Sequence, residues 1–218
     1  MEIIFLFYDG MTALDAVGPH EILSRLPNAT IRRVAKQTGP IKTGSIKTDS
    51  GLILTADYSI TEVSQGDVLC IPGAGNATTL REYPEILEWI RIIHTTTRWT
   101  TSVCTGSLIL GAAGLLSGLR ATTHWAVLDR LPIWGAMPVQ NRMVEDGKIM
   151  TAAGVSAGID MALTLAAKIS GQDIAESLQL GIEYDPDPPF DVGSPAKARP
   201  AIFTALRERL LGSFEDLK

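Results

Sequence analysis

The sequence predicts an α/β fold with a mostly parallel central sheet, and three observations support this. Short apolar or β-branched segments recur between turn residues, helical patterns lie between them, and 45% of the 218 residues are hydrophobic. A chain of this length and composition can bury one sizeable core. Because strands that alternate with helices usually pair in parallel, we expect one domain over residues 1–218, with helices covering the sheet.

Four segments are predicted strands, at residues 3–8, 30–35, 67–71 and 98–103. They are mostly apolar or β-branched and bounded by turn residues, and we expect most of them to be strands buried on both faces. Helices are predicted at residues 14–26 and 84–95. In the second helix, Ile86, Leu87, Ile90 and Ile93 recur at helical spacing, and Pro84 suits a first helical turn.

Two segments interrupt this alternation. Residues 42–54 are polar and β-branched and contain glycine, and residues 138–151 have the pattern of a hairpin that turns at Glu145, Asp146 and Gly147. Both segments are predicted to be antiparallel additions at the margin of the sheet.

The last third of the chain combines two helical patterns with a proline-rich segment. Residues 154–170 predict a buried helix, and residues 201–211 predict a final helix with Gly212 just past its end. The segment between them, residues 183–200, contains Tyr184 and Phe190, which can anchor it to apolar surface. We expect an ordered surface strap there.

Composition and charge disfavour several classes of protein. Lys and Arg total 19 against 24 Asp and Glu, which gives a net charge of −5, so we expect no nucleic-acid partner. The apolar run near the N-terminus is bounded by Glu2 and Asp9 and is too short for a signal peptide or a membrane span, so no membrane partner is expected. The two cysteines and the absence of an export signal predict a cytoplasmic protein with free thiols.

The segment WTTSVCTGSLILGAAGLL places Cys104 at the corner between a buried strand and an apolar helix. The free amides of a helix that begins there favour a thiolate, so Cys104 is a candidate nucleophile. The alternative is an inert buried thiol, which is common for free cysteine. Cys70 lies between Leu69 and Ile71 inside a strand and is predicted to be a core residue.

Asp15 follows another strand-to-helix passage, within LDAVGPHE. The carboxyl ends of parallel strands share one sheet edge, so Asp15 can face the same edge as Cys104 and hold or move a proton there. A helix N-cap is the alternative role, since aspartate fills it often.

Two glycine-containing motifs are weaker signals. GVSAG at residues 154–158 matches the G-x-S-x-G elbow of serine hydrolases, but that fold places its histidine after the serine, whereas His20, His94 and His124 all precede Ser156. A tightly packed helix start explains GVSAG better. PGAGNAT lacks a complete dinucleotide or phosphate motif, and we expect a tight turn whose amides point at a reacting centre.

The histidines are too scattered to predict a metal site, and the cysteines form no C-x-x-C pair, so no metal is expected. His124 is predicted to cap or bridge a helix start. His94 is predicted to lie on the surface near a helix C-terminus.

The motifs LDAVGPHE, IPGAG, SVCTGSLILGAAGLL, ATTHWA and GIDMAL resemble the DJ-1/PfpI superfamily, and within it the isonitrile (isocyanide) hydratases. The resemblance covers nearly the whole chain. It implies a flavodoxin-like three-layer sandwich with a cysteine nucleophile elbow, a homodimer, and chemistry that needs no cofactor.

By position, the resemblance makes Cys104 the reactive cysteine and Asp15 the acidic residue that hydrogen-bonds it. Thr105 stands where the Cys-His members of the superfamily carry histidine, so a Cys-His dyad is not expected. The amides of Ala74 and Thr105 correspond to the family's oxyanion donors. Relatives often carry Gly-Gly where this chain has Gly73 and Ala74.

The reaction implied by the resemblance is the hydration of a small hydrophobic isocyanide to an N-substituted formamide through a cysteine thioimidate. Two other interpretations stay open. One is a cysteine enzyme of the same superfamily that acts on reactive carbonyls such as glyoxals, and the other is a redox sensor in which Cys104 is oxidised without turnover.

Overall fold

The computed structural model describes residues 1–36, 44–76, 83–212 and 214. The strands are β1 (Glu2–Phe7), β2 (Thr30–Ala35), β3 (Gly44–Lys47), β4 (Ile53–Ala56), β5 (Tyr58–Ser59), β6 (Val68–Ile71), β7 (Trp99–Val103), β8 (Arg120–Ala121), β9 (Met137–Pro138), β10 (Met143–Asp146) and β11 (Ile149–Ala152). The helices are α1 (Ala13–Leu23), α2 (Pro84–Thr96), α3 (Gly106–Ala112), α4 (Ala157–Ser170), α5 (Gln172–Gly181) and α6 (Pro200–Gly212), and a 3₁₀ region spans Trp125–Trp134.

In the described part of the chain, seven strands form one sheet in the order β10-β11-β7-β6-β1-β2-β5. All neighbours pair in parallel except β10, which is antiparallel to β11. The predicted α/β fold with a mostly parallel sheet is therefore confirmed. The four predicted strands are also confirmed as β1, β2, β6 and β7, with ends that shift by a residue or not at all.

Helices cover the sheet in two groups. The connection from β1 through α1 to β2 moves along the sheet in one direction, and the connection from β6 through α2 to β7 moves in the other. Because such crossovers are right-handed, α1 and α2 lie on opposite faces of the sheet. Helix α4 packs against α1, and α3 packs against α2, which gives three layers.

Of the two predicted antiparallel additions, only one joins the main sheet. The hairpin of β10 and β11 forms its margin, as predicted. The prediction for residues 42–54 is wrong in its placement, because β3 and β4 pair with each other as a separate two-stranded sheet while β5 pairs with β2. Residues 42 and 43 lie outside the described residues.

The C-terminal elements differ from prediction in three respects. Helix α4 begins at Ala157, after a turn at residues 154–156. Gly212 is the last residue of α6 instead of lying past its end, and its backbone does not adopt the left-handed conformation that commonly ends a helix. Helix α5 and the 3₁₀ region were not predicted. Ala175 is the buried residue of α5, and Ile174 and Leu178 pack against the core while remaining partly exposed.

Strands β1, β6 and β7 lie side by side at the centre of the sheet, and all their side chains except those of Glu2 and Trp99 are buried. Since all three run in parallel, the loops that follow them meet at one edge of the sheet. The turns after β1, β6 and β7 are thereby brought together. None of the helices in the described ranges is long and apolar enough to cross a membrane.

Candidate active site

Cys104 occupies a strained turn between β7 and α3. Its φ angle is +56°, in the left-handed region that side-chain-bearing residues rarely adopt. Its amide donates to the carbonyl oxygens of Ala152 at 3.1 Å and Ala153 at 2.9 Å. Its carbonyl accepts from the hydroxyls of Ser107 at 3.3 Å and Thr123 at 3.0 Å. Neighbouring elements therefore hold the strained conformation from both sides.

Asp15 lies in the first turn of α1 but does not cap it. The N-cap residue is Thr12, and Asp15 Oδ2 instead accepts a hydrogen bond from the amide of Gly73 at 2.9 Å. Its other oxygen, Oδ1, is buried without a hydrogen-bond partner among the described residues. Only 2% of Asp15 is exposed, and this burial raises the pKa of its carboxyl to about 7.

The carboxyl of Asp15 and the thiol of Cys104 form a coupled pair. Burial is the main cause that raises the pKa of the Cys104 thiol, and the negative charge of Asp15 raises it further. Hydrogen bonding from the thiol opposes the rise in the pKa of Asp15. Near neutral pH the two groups together therefore hold at least one proton, and that proton lies between a nucleophile and an acid.

Backbone amides oppose the effect of burial on the Cys104 thiol. The amides of Thr105 and Val155 both act to lower its pKa, as expected for donors that stabilise a thiolate. Val155 is a site residue that the sequence reasoning missed. It lies inside GVSAG, directly before α4, so the motif that resembled a serine elbow supplies an amide to the cysteine instead.

The turn after β6 meets both Asp15 and Thr105. The Ala74 amide donates to Thr105 Oγ1 at 2.8 Å, and Thr105 Oγ1 donates to the Ala74 carbonyl at 2.8 Å. A Cβ atom on Gly73 would lie 2.5 Å from the Thr105 nitrogen, so glycine is required at this close approach. The Gly73 amide donates to Asp15 Oδ2 and the Ala74 amide donates to Thr105 Oγ1, so both already have acceptors within the protein. Of the two amides predicted as oxyanion donors, Ala74 and Thr105, the Thr105 amide is the one that lowers the pKa of the Cys104 thiol.

Tyr8, at the end of β1, is a second residue near the pair that was not predicted. Its side chain is buried and donates a hydrogen bond from Oη to the Pro72 carbonyl at 2.8 Å. Burial is the main cause that raises its pKa, followed by the charges of Asp15 and Cys104. Its position directly after a buried strand was the available sequence signal.

A cavity of about 570 Å³ adjoins the Cys104 turn. Thr123, Ala153 and Val155 line it, and each also contacts Cys104 through its hydroxyl or backbone. Residues 193–196 of the proline-rich segment form another part of the wall. The remaining lining residues are Leu14, His124, Trp125, Leu128, Gln140, Asn141, Arg142, Gly154 and Ser156.

The three histidines have different surroundings. His124 lines the cavity, and its Nδ1 accepts from the Ala126 amide at 3.3 Å, so the predicted role at a helix start is confirmed. His20 packs against the ring of Phe5 and is not among the described residues that line the cavity. The prediction for His94 is wrong in part, because it is half-buried near the end of α2 and hydrogen-bonds Thr100 at 2.8 Å.

Ser156 and Cys70 lack the features of nucleophiles. Ser156 is exposed, has an ordinary φ of −66°, and accepts a hydrogen bond from Arg142 Nη2 at 3.3 Å. Cys70 is buried in β6, and burial raises the pKa of its thiol to about 12. Within the described ranges, no group of three His, Cys, Asp or Glu residues is placed to hold a metal ion.

Comparison with known proteins gives one family for this chain. The DJ-1/PfpI family matches residues 1–168. The chain is 43% identical to an isonitrile hydratase from Pseudomonas putida over 215 residues, which cover 99% of this chain and 92% of that protein.

Solved structures agree with this comparison. A crystal structure of a ThiJ/PfpI family protein from Pseudomonas syringae superimposes with a TM-score of 0.93 at 38% identity, covering 99% of this chain and 88% of the other. Schizosaccharomyces pombe DJ-1 shares the fold, with a TM-score of 0.70 at 20% identity, and covers 84% of this chain and 98% of its own.

Proposed function

The chain belongs to the DJ-1/PfpI family, and from this premise we propose that it is an isonitrile hydratase, an enzyme that adds water to an isocyanide to give an N-substituted formamide. The observation that carries the proposal is the 43% identity to an isonitrile hydratase over nearly the full length of both chains. The buried pair of Cys104 and Asp15 supports it, because this hydration needs a nucleophile and a group that moves protons.

In the first step, the sulfur of Cys104 attacks the terminal carbon of the isocyanide. The proton held by the Cys104 and Asp15 pair is delivered by Asp15 to that same carbon. A carbon–sulfur bond and a carbon–hydrogen bond form, and the product is a thioimidate, Cys–S–CH=N–R. The pKa of about 7 suits Asp15 to this role, since a catalytic acid works best when its pKa is near the working pH.

In the second step, water adds to the thioimidate carbon. Asp15, now a carboxylate, accepts one proton from the water and passes it to the imine nitrogen, and it takes the remaining proton from the new hydroxyl group as the tetrahedral carbon collapses. Collapse of the tetrahedral carbon then breaks the carbon–sulfur bond, releases the formamide, and returns the sulfur and the proton to the starting pair. The amides of Thr105 and Val155 are placed to stabilise negative charge on the leaving sulfur.

The surroundings support Asp15 as the proton carrier. The Thr105 hydroxyl already exchanges two hydrogen bonds with the backbone of Ala74, and a threonine hydroxyl is a poor base at neutral pH. The hydrogen bond from Gly73 fixes one oxygen of Asp15 and leaves Oδ1 available for a proton.

We propose further that the protein acts in the cytoplasm as a homodimer, as its resemblance to the family implies. Leu180 is 80% exposed and Phe190 is 74% exposed, so the prediction that Phe190 anchors the proline-rich segment is wrong for this chain, and both side chains are available for contact with a second copy.

The function is tested by assaying the purified protein with a simple alkyl isocyanide and, in parallel, with methylglyoxal. We expect formamide to accumulate from the isocyanide and no turnover of methylglyoxal. Cys104→Ala should lower kcat by several orders of magnitude, as loss of a covalent nucleophile does elsewhere. Cys70→Ala is the matched control and should retain nearly full activity. Equal losses in both variants would refute the assignment of Cys104.

A further inference from the structure

The turn after β6, residues 72–74, has a hydrogen-bond donor at each of its three carbonyl groups. Tyr8 Oη donates to the Pro72 carbonyl at 2.8 Å. The Thr12 amide and the Thr105 hydroxyl donate to the next two carbonyls, at 2.9 Å and 2.8 Å. Tyr8 and Thr12 both belong to the segment that leads from β1 into α1. That segment and the turn are therefore fixed to one another by a side chain as well as by the backbone.

One peptide unit of this turn connects Tyr8 to Asp15. The Pro72 carbonyl, which accepts from Tyr8 Oη, and the Gly73 amide, which donates to Asp15 Oδ2 at 2.9 Å, belong to the same planar group. Because a planar group turns as one body, a hydroxyl that holds its carbonyl also fixes the direction of its amide. Hydrogen bonds in such a chain also polarise and strengthen one another, so the Tyr8 hydroxyl makes the amide a better donor.

The surroundings keep the Tyr8 hydroxyl in this role. Burial, followed by the charges of Asp15 and Cys104, raises the pKa of Tyr8 well above its ordinary value, so the hydroxyl stays protonated and remains a donor at neutral pH. A Cβ atom at Gly106, the first residue of α3, would lie 3.0 Å from the Pro72 oxygen. The carbonyl is thus closely packed on one side and hydrogen-bonded by the tyrosine.

We propose that Tyr8 is a positioning residue for the proton carrier Asp15, because its hydroxyl holds the peptide between Pro72 and Gly73 in the orientation that points the Gly73 amide at Oδ2. The proposal rests on the proposed function for the part that Asp15 plays in turnover. The Gly73 hydrogen bond favours the carboxylate form of Asp15, so the tyrosine hydroxyl makes Asp15 a stronger acid than its burial alone would. Tyr8 acts through the peptide and transfers no proton itself.

The test uses Tyr8→Phe, which removes the hydroxyl and keeps a ring that fits the same buried space. Thr101→Val is the matched control. Thr101 is buried in β7, and its Oγ1 donates to the Leu69 carbonyl of β6 at 3.1 Å. Both variants therefore remove a buried hydroxyl that donates to a backbone carbonyl, but only the Tyr8 hydroxyl bonds the peptide that donates to Asp15.

The first measurement is the pH profile of kcat/KM with a simple alkyl isocyanide. In the wild type, kcat/KM should rise through about pH 7. Tyr8→Phe should move this rise upward by about half a pH unit or more, because a weaker hydrogen bond from Gly73 favours the carboxylate less. At about pH 6 this shift lowers kcat/KM by roughly threefold. Thr101→Val should keep the wild-type profile.

The second measurement needs no turnover. Urea unfolding compares Tyr8→Phe with the double variant Tyr8→Phe/Asp15→Asn from about pH 5 to pH 9. Without the hydroxyl, the folded Asp15 carboxyl should stay protonated to a higher pH. The difference in the free energy of unfolding should therefore keep falling for about half a pH unit beyond the point at which the difference between wild type and Asp15→Asn becomes constant.

The outcomes separate this proposal from the one on which it rests. If the wild type hydrates no isocyanide, the proposed function fails, and the unfolding comparison still decides the role of Tyr8. If the two differences become constant at the same pH, the hydroxyl does not act on Asp15 and the proposal is refuted. An equal upward shift of the kcat/KM profile in Tyr8→Phe and Thr101→Val would also overturn it, because loss of any buried hydroxyl would then have the same effect.

Discussion

Replacing Asp15 with asparagine should abolish turnover and stabilise the folded protein at the same time. The asparagine carbonyl oxygen can keep the hydrogen bond from the Gly73 amide, which is 2.9 Å long in the wild type. The amide cannot hold and release a proton, so we expect kcat to fall by about 10²-fold or more. The effect on stability has the opposite sign, because the variant has no buried charge to form.

The magnitude follows from the pKa of Asp15, which rises from an ordinary value of 3.8 to about 7 in the folded protein. Ionising this carboxyl therefore costs roughly 4 kcal/mol more in the folded than in the unfolded chain. From about pH 5 to pH 7 the folded carboxyl is protonated while the unfolded one is ionised. Over this range the free energy of unfolding of the wild type should fall by about 1.4 kcal/mol per pH unit relative to that of Asp15→Asn, or roughly 3 kcal/mol between about pH 5 and pH 7. Above the pKa of the folded carboxyl the difference should stay constant.

Urea unfolding of both proteins at about pH 5, 6, 7 and 8 measures this difference in the free energy of unfolding. Asp67→Asn is the matched control. The Asp67 carboxylate also accepts one backbone amide, from Glu2 at 2.8 Å, but it is half-buried. This control shows how much the free energy of unfolding changes when a carboxylate that accepts a backbone amide is replaced by an amide at another site.

A difference between wild type and Asp15→Asn that stays constant from about pH 5 to pH 8 would refute the reasoning, because it would mean that Asp15 is ionised throughout. Near-normal turnover of Asp15→Asn would refute the catalytic part and leave Asp15 with a structural role.

Three further predictions follow from the site. Ser156→Ala should retain most activity, since Ser156 is exposed and unstrained, and a loss as large as that of Cys104→Ala would contradict this. Gly73→Ala should lower the free energy of unfolding by about 1–3 kcal/mol because the new Cβ meets Thr105, whereas Gly75→Ala, whose Cβ meets nothing within 4 Å, should be tolerated. The wild-type kcat/KM should rise with pH through about 7 as the Cys104 and Asp15 pair loses its first proton, and a profile that stays flat between about pH 5 and pH 8 would contradict the coupling.

The fold, and the position of Asp15 and Cys104 at the same edge of the sheet, could be predicted because local sequence patterns specify them. Alternating strands and helices specify a parallel sheet, and residues that follow β1 and β7 must then share one edge. The position of Asp15 near the start of α1 was predicted from the sequence. Its role as the acceptor for the Gly73 amide was not, because it depends on the turn after β6, which is distant from α1 in the sequence.

Other features depend on contacts between segments that are distant in sequence. The φ angle of +56° at Cys104 is held by hydrogen bonds with Ala152, Ala153 and Thr123, and no local pattern at residue 104 encodes them. The amide of Val155 reaches the thiol only because the turn before α4 lies beside the end of β7. The separation of β3 and β4 from the main sheet likewise depends on β5 pairing with the edge of β2.

The left-handed backbone conformation at Cys104 lowers the stability of the folded protein, although the cysteine side chain is the group proposed to react. Any side chain there carries a backbone cost of about 1–2 kcal/mol that glycine would not carry. Asp15 also lowers the stability of the folded protein, because an uncharged side chain of the same shape would cost less to bury. If selection acted on folding alone, mutation would drift toward glycine at residue 104 and asparagine at residue 15. Retention of a cysteine and an aspartate at these two positions would therefore be a signature of selection for turnover in any lineage that keeps both.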